Sequence, residues 1–392
     1  PKVLDMSSAL FSPIDQRGLT LDNRVVVSPM CQYSAVDCKP TDWHLIHYGG
    51  LSMAGTGLLI TEAVAVEPRG RVTHGCMTLH DDATEAALKR VVDACLAHGN
   101  TPLAIQLGHA GRKASCHSPQ NGGAPLATHE DPWETIGPSP LPFNDGWHCP
   151  IEMDRADMDA VIDAHVETAK RADRIGFSAI ELHGAHGYLI SSFLSPLANH
   201  RGDGYGGSPA GRMRFPLEMF EAVRAVWPED KPLGIRINGS DWDDDGLTVE
   251  DAVAFAQALK AVDCDFIDVT AGGNSMVRPP LGPGYQKHLA GAVKAATGLP
   301  TMAVGMIRDP RLAESIVAEG IADMCCIARG FLYEPRWTWR AAYELGAEAA
   351  YPPQHQRADP NLWPQAFDGG EQDSEEWVPG ASPHILVRRK TG

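Results

Sequence analysis

Residues 57–109 read GLLITEAVAVEPRGRVTHGCMTLHDDATEAALKRVVDACLAHGNTPLAIQLGH, two apolar runs on either side of one amphipathic segment. The first run, GLLITEAVAV from Gly57, and the last, TPLAIQLGH from Thr101, have the β-branched and aliphatic composition of strands. Between them Leu88, Val91, Val92, Cys95 and Leu96 make one apolar stripe along a helix, with Asp81 or Asp82 as N-cap and Gly99 past its end. Strand, helix, strand is the signal for a parallel sheet with crossover helices.

The same unit repeats outward in both directions. Six further runs read as strands: RVVVSPM from Arg24, FSAIELHG from Phe177, KPLGIRING from Lys231, DFIDVTAGG from Asp265, LPTMAVG from Leu299 and ADMCCIARG from Ala322. Helical stripes lie between them: Met158, Val161, Ile162, His165, Val166 and Ala169; Ala252, Phe255, Ala256 and Leu259 behind Thr248; Ala313, Ile316 and Val317 behind Asp309 and Pro310. Eight such strands predict an α/β fold closed as a (β/α)8 TIM barrel, an architecture that runs to ~250 residues or more as one unit. One barrel domain is expected over residues 1–357, with a β-hairpin at about 9–23, and an extension or partly ordered tail over 358–392, where Pro, Gly and acidic residues mix without periodicity. Two connections are long, from Lys113 to Pro150 and from Gly184 to Pro209, and both follow strand C-termini, the face where such barrels build their sites.

Composition narrows the partners. The 392 residues are 43% hydrophobic and 21% charged, and a formal charge of −17 argues against a nucleic-acid surface, which needs clustered Lys and Arg. No charged-then-apolar leader and no run of ~18 apolar residues is found, so a cytoplasmic protein without membrane contact is expected. The nine cysteines are scattered with no C-x-x-C pair, so neither a disulfide framework nor a metal site is expected.

The strand ends would gather Cys31, Ala63, Gln106, His183, His186, Arg236, Gly272, Gly305 and Arg329 around one opening. HGAHGYLISSFLSPLANHRGDGYGGSPAGRMRF, His183 to Phe215, resembles the signature of the old yellow enzyme family. SPMCQYS at Ser28–Ser34, DWHLIHYGGLSMAGTGLLITEA at Asp42–Ala63 and IQLGHAGRKA at Ile105–Ala114 extend the resemblance across nearly the whole barrel. Cys31, where the other subclass usually has threonine, and Tyr33 make the chain similar to the short, thermophilic-like bacterial subclass and to xenobiotic reductases. The resemblance implies a tightly bound FMN, NADPH or NADH as transient reductant, and a small activated alkene (enone, maleimide or nitroalkene) as the substrate that accepts hydride. A homodimer or homotetramer is expected.

Residue chemistry agrees with that reading at several points. Two ring N–H donors three residues apart, His183 and His186, can grip one oxygen; in the family they hold the substrate carbonyl or nitro oxygen. Taken alone, H-x-x-H also describes a metal pair, for which no third ligand is evident, or packed loop histidines. Tyr188 could deliver a proton to the α-carbon as general acid, though a lone Tyr in a strand-end loop is more often packing. Cys31, with Tyr33, would sit at the reactive edge of the flavin; the bland alternative for Cys31 is a small buried hydrophobe. Gln106 and Arg236 suit the pyrimidine edge of the ring, Arg236 adding fixed positive charge that needs a ligand or a carboxylate partner in any barrel interior. Pro29, Met30, Cys31 and Ala63 join them as cofactor contacts by resemblance. GMIRDP at Gly305, IARG with Ala328 and Arg329, and Gly272 suggest a phosphate cradle after the last strands, although glycines at strand ends are individually generic. Gly204, Gly206 and Gly207 follow a polar segment rather than a strand and read as a turn, so nicotinamide would share the alkene's pocket and the kinetics would be ping-pong. Arg357 in PPQHQRA resembles an arginine that members of the subclass insert into a neighbouring subunit's site, and otherwise is a surface arginine.

Three other readings stay open on the residues alone. An iron-sulfur flavin relative would carry a cysteine cluster beyond the barrel, and the last cysteine here is Cys326. A cofactor-free hydrolase or isomerase could use His183 and His186 with Glu62 or Glu181. A non-catalytic binding barrel fits poorly with so many ionisable groups at one end.

Overall fold

The structure is a computed structural model that describes residues 8–364. Eight parallel strands close into a barrel: β1 Val25–Val27, β2 Leu58–Ala65, β3 Leu103–Gly108, β4 Ala179–Gly184, β5 Leu233–Asn238, β6 Phe266–Thr270, β7 Thr301–Ala303 and β8 Met324–Ile327. Each pairs with its sequence neighbours, and β8 returns to β1 through Cys325↔Val25 and Ile327↔Val27. The outer layer is α1 Asp42–Ser52, α2 Asp82–His98, α3 Arg155–Ile175, α4 Pro209–Arg224, α5 Val249–Ala261, α6 Lys287–Thr297, α7 Pro310–Ala318 and α8 Trp337–Leu345. The expected caps are in place: Asp81, Thr248 and Asp309 each accept a backbone N–H of the first helical turn. Among the described residues no helix is long and apolar enough to cross a membrane.

Strand alternation divides the apolar residues in two. Ile180 and Leu182 face the helices, while Ala179 joins Val26, Leu58, Ile60, Ala104, Phe266, Met302 and Met324 in a separate cluster inside the barrel. The same alternation sends Cys325 outward and Cys326 inward, so the adjacent thiols sit in different cores, and every described cysteine is free. A hairpin, Ile14–Gln16 with Leu19–Leu21, packs Leu21 into the inner cluster. Gly18 N–H donates to the Asp230 carbonyl at 3.0 Å and Arg17 Nε pairs with Asp265 at 2.7 Å, both just before strands begin, so the hairpin covers the N-terminal mouth. Among the described residues this leaves the C-terminal mouth for ligands.

Two strands differ instructively from their sequence runs. The strand in RVVVSPM stops at Val27, before Pro29, which has no N–H for a ladder. In GLLITEAVAV the pairing with β3 shifts between Ile60 and Ala63. That bulge turns Glu62 away from the mouth and toward α1, while Ala63 stays opposite Gln106. The long connection from Lys113 to Pro150 carries 3-10 turns and one strand of a parallel pair, Ile136–Gly137 with Ile151–Glu152, which its Pro- and Gly-rich sequence did not announce. Residues up to Ala350 form one unit and those from Tyr351 a second, whose described part holds a 3-10 turn at Pro353–Ala358.

Candidate active site

At the C-terminal mouth β4 delivers Glu181 and then His183 on its inner face, and the chain then turns sharply through His186 and Gly187, both with left-handed backbone (φ 60° and 73°). The turn packs three rings edge to face: His183 and His186 have centroids 5.3 Å apart at 85°, and His183 and Tyr188 are 4.9 Å apart at 78°. Its backbone is held from two other strand ends. His186 N–H donates to Asn238 Oδ1 at 3.0 Å, the same Asn238 donates to the Gly272 carbonyl at 2.8 Å, and Lys113 Nζ donates to the carbonyls of His186 at 2.7 Å and Gly273 at 3.0 Å. His186 Nε2 lies 3.0 Å from Thr270 Oγ1.

Electrostatics fixes the protonation states. Burial, then the Arg236 and Lys113 charges, pushes His183 down to about 3, and burial with the same cations holds His186 well below its ordinary value. Both imidazoles are therefore neutral at pH 7, each with one N–H to donate. Burial pushes the Tyr188 phenol well above its usual range, so it keeps its proton at neutral pH. Lys113, buried and beside Arg112, is lowered to about 8.

The His186 turn depends on Gly187. A methyl there would lie 2.0 Å from the Gly273 carbonyl oxygen, on a backbone conformation that L residues rarely adopt. Gly187→Ala is expected to destabilise the protein by on the order of 2 kcal/mol, read as a lower urea midpoint. Gly282→Ala, where a methyl meets nothing within 4 Å, should leave the midpoint nearly unchanged.

The loop after β1 brings Cys31 and Tyr33 toward the same opening, with Tyr33 again at positive φ, 52°. Burial, followed by Cys76 and Glu62, raises the Cys31 thiol well above its ordinary value, so it stands as a neutral thiol. Glu62 holds this loop: Gln32 N–H donates to it at 3.0 Å and Tyr48 Oη at 2.9 Å, with His44 Nε2 at 3.4 Å. A cleft beside the histidines is lined by Ala63, Cys76, Gly108, His109, His183 and Tyr188.

Beneath the histidines the inner wall is polar. Gln106 Nε2 donates to Glu181 at 2.7 Å, Arg236 Nε pairs with Asp268 at 3.2 Å, and an Arg236 terminal nitrogen donates to Ser28 Oγ at 3.2 Å. The carboxylate partner that a barrel arginine requires is thus Asp268. Ser28, Pro29 and Met30 leave β1 beside this arginine. Gly272 and Gly305 both have positive φ, 81° and 111°, after β6 and β7, and Ala328 and Arg329 open the short helix Arg329–Tyr333 after β8. Gly204–Gly207 form a turn ahead of α4, anchored by the Arg201–Asp203 pair at 2.6 Å. Arg357 is exposed, in the 3-10 turn of the second unit.

This donor set suits FMN. A buried guanidinium facing the mouth is what a flat ring gaining negative charge needs at one edge. Gln106 gives one amide N–H to Glu181, and no described residue donates to its oxygen, which leaves an acceptor for a ring N–H. The buried Trp242 Nε1 and Gln286 Oε1, near Gly272 and Gly305, have no hydrogen-bond partner among the described residues, as expected where a polar ligand completes the wall. The acids that a cofactor-free hydrolase would need are committed elsewhere: Glu62 to Tyr48 and Gln32, Glu181 to Gln106. Lys113 and the loop-holding role of Glu62 were not read from the sequence, since their contacts run to residues 14 to 160 positions away.

Comparison with known proteins assigns the class. The NADH:flavin oxidoreductase / NADH oxidase family matches residues 9–348, and the chain belongs to that family. The chain is 42% identical over 354 residues to an NADPH dehydrogenase of Geobacillus thermodenitrificans (strain NG80-2), covering 90% of this chain and 99% of the relative. It is 40% identical over 355 residues to that of Bacillus cytotoxicus, with 90% and 97% covered. Morphinone reductase in complex with tetrahydroNAD superposes with a TM-score of 0.70 at 25% identity, over 88% of this chain and 93% of that one. A 2-naphthoyl-CoA reductase in complex with 2-naphthoyl-CoA gives 0.76 at 25% identity, over 87% of this chain and 53% of that one. The protein is an NAD(P)H-dependent flavin oxidoreductase of old yellow enzyme type, with FMN as cofactor and NAD(P)H as reductant.

Proposed function

We propose that the protein is an ene-reductase for activated alkenes: enones, maleimides and nitroalkenes. The observation that carries this is the His183–His186–Tyr188 arrangement, two neutral imidazoles and a phenol that keeps its proton, packed ring against ring at the open end of the barrel. The imidazole N–H groups bind the carbonyl or nitro oxygen, drawing electron density from the conjugated bond so that its β-carbon becomes electrophilic. Tyr188 then gives its phenolic proton to the α-carbon. FMN, when bound, takes hydride from NAD(P)H and supplies it to the alkene. Pro29, Met30, Cys31 and Ala63 would hold one side of the ring, Gln106 and Arg236 its pyrimidine edge, and Gly272, Gly305, Ala328 and Arg329 its phosphate. Tyr33 and the neutral thiol of Cys31 would touch substrate. We include in this reading a cytoplasmic homodimer or homotetramer in which Arg357 reaches a neighbouring site. The exposed Trp43 and Ile46 of α1 support a subunit interface there.

Steady-state kinetics with NADPH and 2-cyclohexenone test the reading. Nicotinamide and enone share one pocket, so double-reciprocal plots should be parallel and cyclohexanone should accumulate one for one with NADPH oxidised. NADPH oxidation that ignores the enone and yields no saturated ketone would reject it.

A further inference from the structure

Glu181 and Asp268 lie inside the barrel with no exposed surface, on the inner faces of adjacent-but-one strands, with Arg236 on the strand between. Asp268 takes the ion pair with Arg236 at 3.2 Å. Glu181 receives only the Gln106 amide at 2.7 Å, and its other oxygen has no hydrogen-bond partner among the described residues, nor does either oxygen of Asp268. Among the described residues the remaining groups facing the trio are neutral: Ser28 from the end of β1, Cys326 from β8, whose thiol burial and Asp268 push up, and His183 above on β4. Lys113 acts on His183 and Tyr285 on Arg236 from further away. One cation therefore faces two carboxyls in the closed interior of the barrel, and two carboxylates cannot both ionise there cheaply.

We infer that Glu181 and Asp268 hold one proton between them under the mouth, making the trio with Arg236 neutral at pH 7, and that losing this proton to solvent is what slows flavin reduction at alkaline pH. Burial pushes both carboxyls up; the guanidinium beside Asp268 offsets this there, so Glu181, raised by burial and then by Asp268 to about 8, is the favoured site of the shared proton. No electrons move in this step: the carboxylic acid becomes a carboxylate and the proton goes to water. The uncompensated negative charge then opposes the charge that hydride brings to the same end of the barrel. Glu181 is on this account a positioning and charge-setting residue that touches neither nicotinamide nor alkene.

The inference rests on FMN binding at this mouth, not on the alkene chemistry, and infrared spectroscopy of the holoenzyme tests it separately. The wild type should show a protonated-carboxyl C=O band that disappears with a midpoint near 8. Glu181→Gln should lack the band, and Asp268→Asn should move its loss to lower pH, since the repelling neighbour is gone. In parallel, anaerobic reduction by NADPH should slow about tenfold from about pH 7 to about pH 9.5 in the wild type, and the step should be missing from Glu181→Gln. A wild type without a titrating band, or a Glu181→Gln variant that retains both the band and the alkaline step, would overturn the inference. Should that variant not fold, the wild-type spectrum and Asp268→Asn decide it.

Discussion

Tyr188→Phe is expected to slow reoxidation of the reduced enzyme by an enone ~100-fold to ~10,000-fold, while reduction by NADPH changes by no more than about twofold. The asymmetry follows from where the proton is needed. Hydride arriving from nicotinamide requires no donor on the protein, whereas the alkene half-reaction leaves an α-carbon that must be protonated. The Tyr188 phenol is suited to this because burial holds it protonated well above its ordinary range and its ring is fixed at 4.9 Å from His183. Phe keeps the ring and the packing and removes only the proton. Stopped-flow absorbance separates the two half-reactions, and equal losses in both would remove Tyr188 from the donor role.

Loss of either imidazole should be nearly as damaging. His183→Ala or His186→Ala removes one of two preorganised donors from the oxygen on which charge develops, a change that costs ~100-fold to ~1,000-fold in alkene turnover at comparable sites. The double variant should be far from additive, because one remaining donor cannot position the oxygen alone. A pH test accompanies this. His183 is pushed down to about 3 and His186 in the same direction, so the neutral donors persist from pH 5 to 8, where an ordinary histidine would take up a proton. The alkene half-reaction should be flat across that range. A limb near 6.5 lost in a histidine variant would mean that one imidazole works as a cation.

The barrel was legible because its evidence is local. Short β-branched and aliphatic runs and stripes such as Leu88, Val91, Val92 and Cys95 depend on neighbours a few residues away, and the caps Asp81, Thr248 and Asp309 act within one turn. Motif order put His183, His186 and Tyr188 at the end of β4 and Gln106 and Arg236 on the inner faces of β3 and β5, and the structure has them at those positions. What could not be read depends on contacts made only when distant strands meet. The bulge at Ile60–Ala63 decides that Glu62 supports the Cys31 loop instead of entering the cleft, and nothing in TEAV marks it. Lys113 sits in a glycine- and histidine-rich segment that gives no sign of its partners, the His186 and Gly273 carbonyls. Glu181 reads from the sequence as a candidate acid, and its charge setting emerges only when Arg236 and Asp268 are placed on the next two strands beside it.

The account depends on paired neutral imidazoles presenting an electron-poor alkene to a flavin over Arg236. An anaerobic titration tests it most directly: the visible band of the holoenzyme is bleached with one equivalent of NADPH, and 2-cyclohexenone is then added. Full return of the band, with one equivalent of cyclohexanone formed, is the predicted result. A band that stays bleached until air is admitted, or that returns equally fast in His183→Ala, would contradict it.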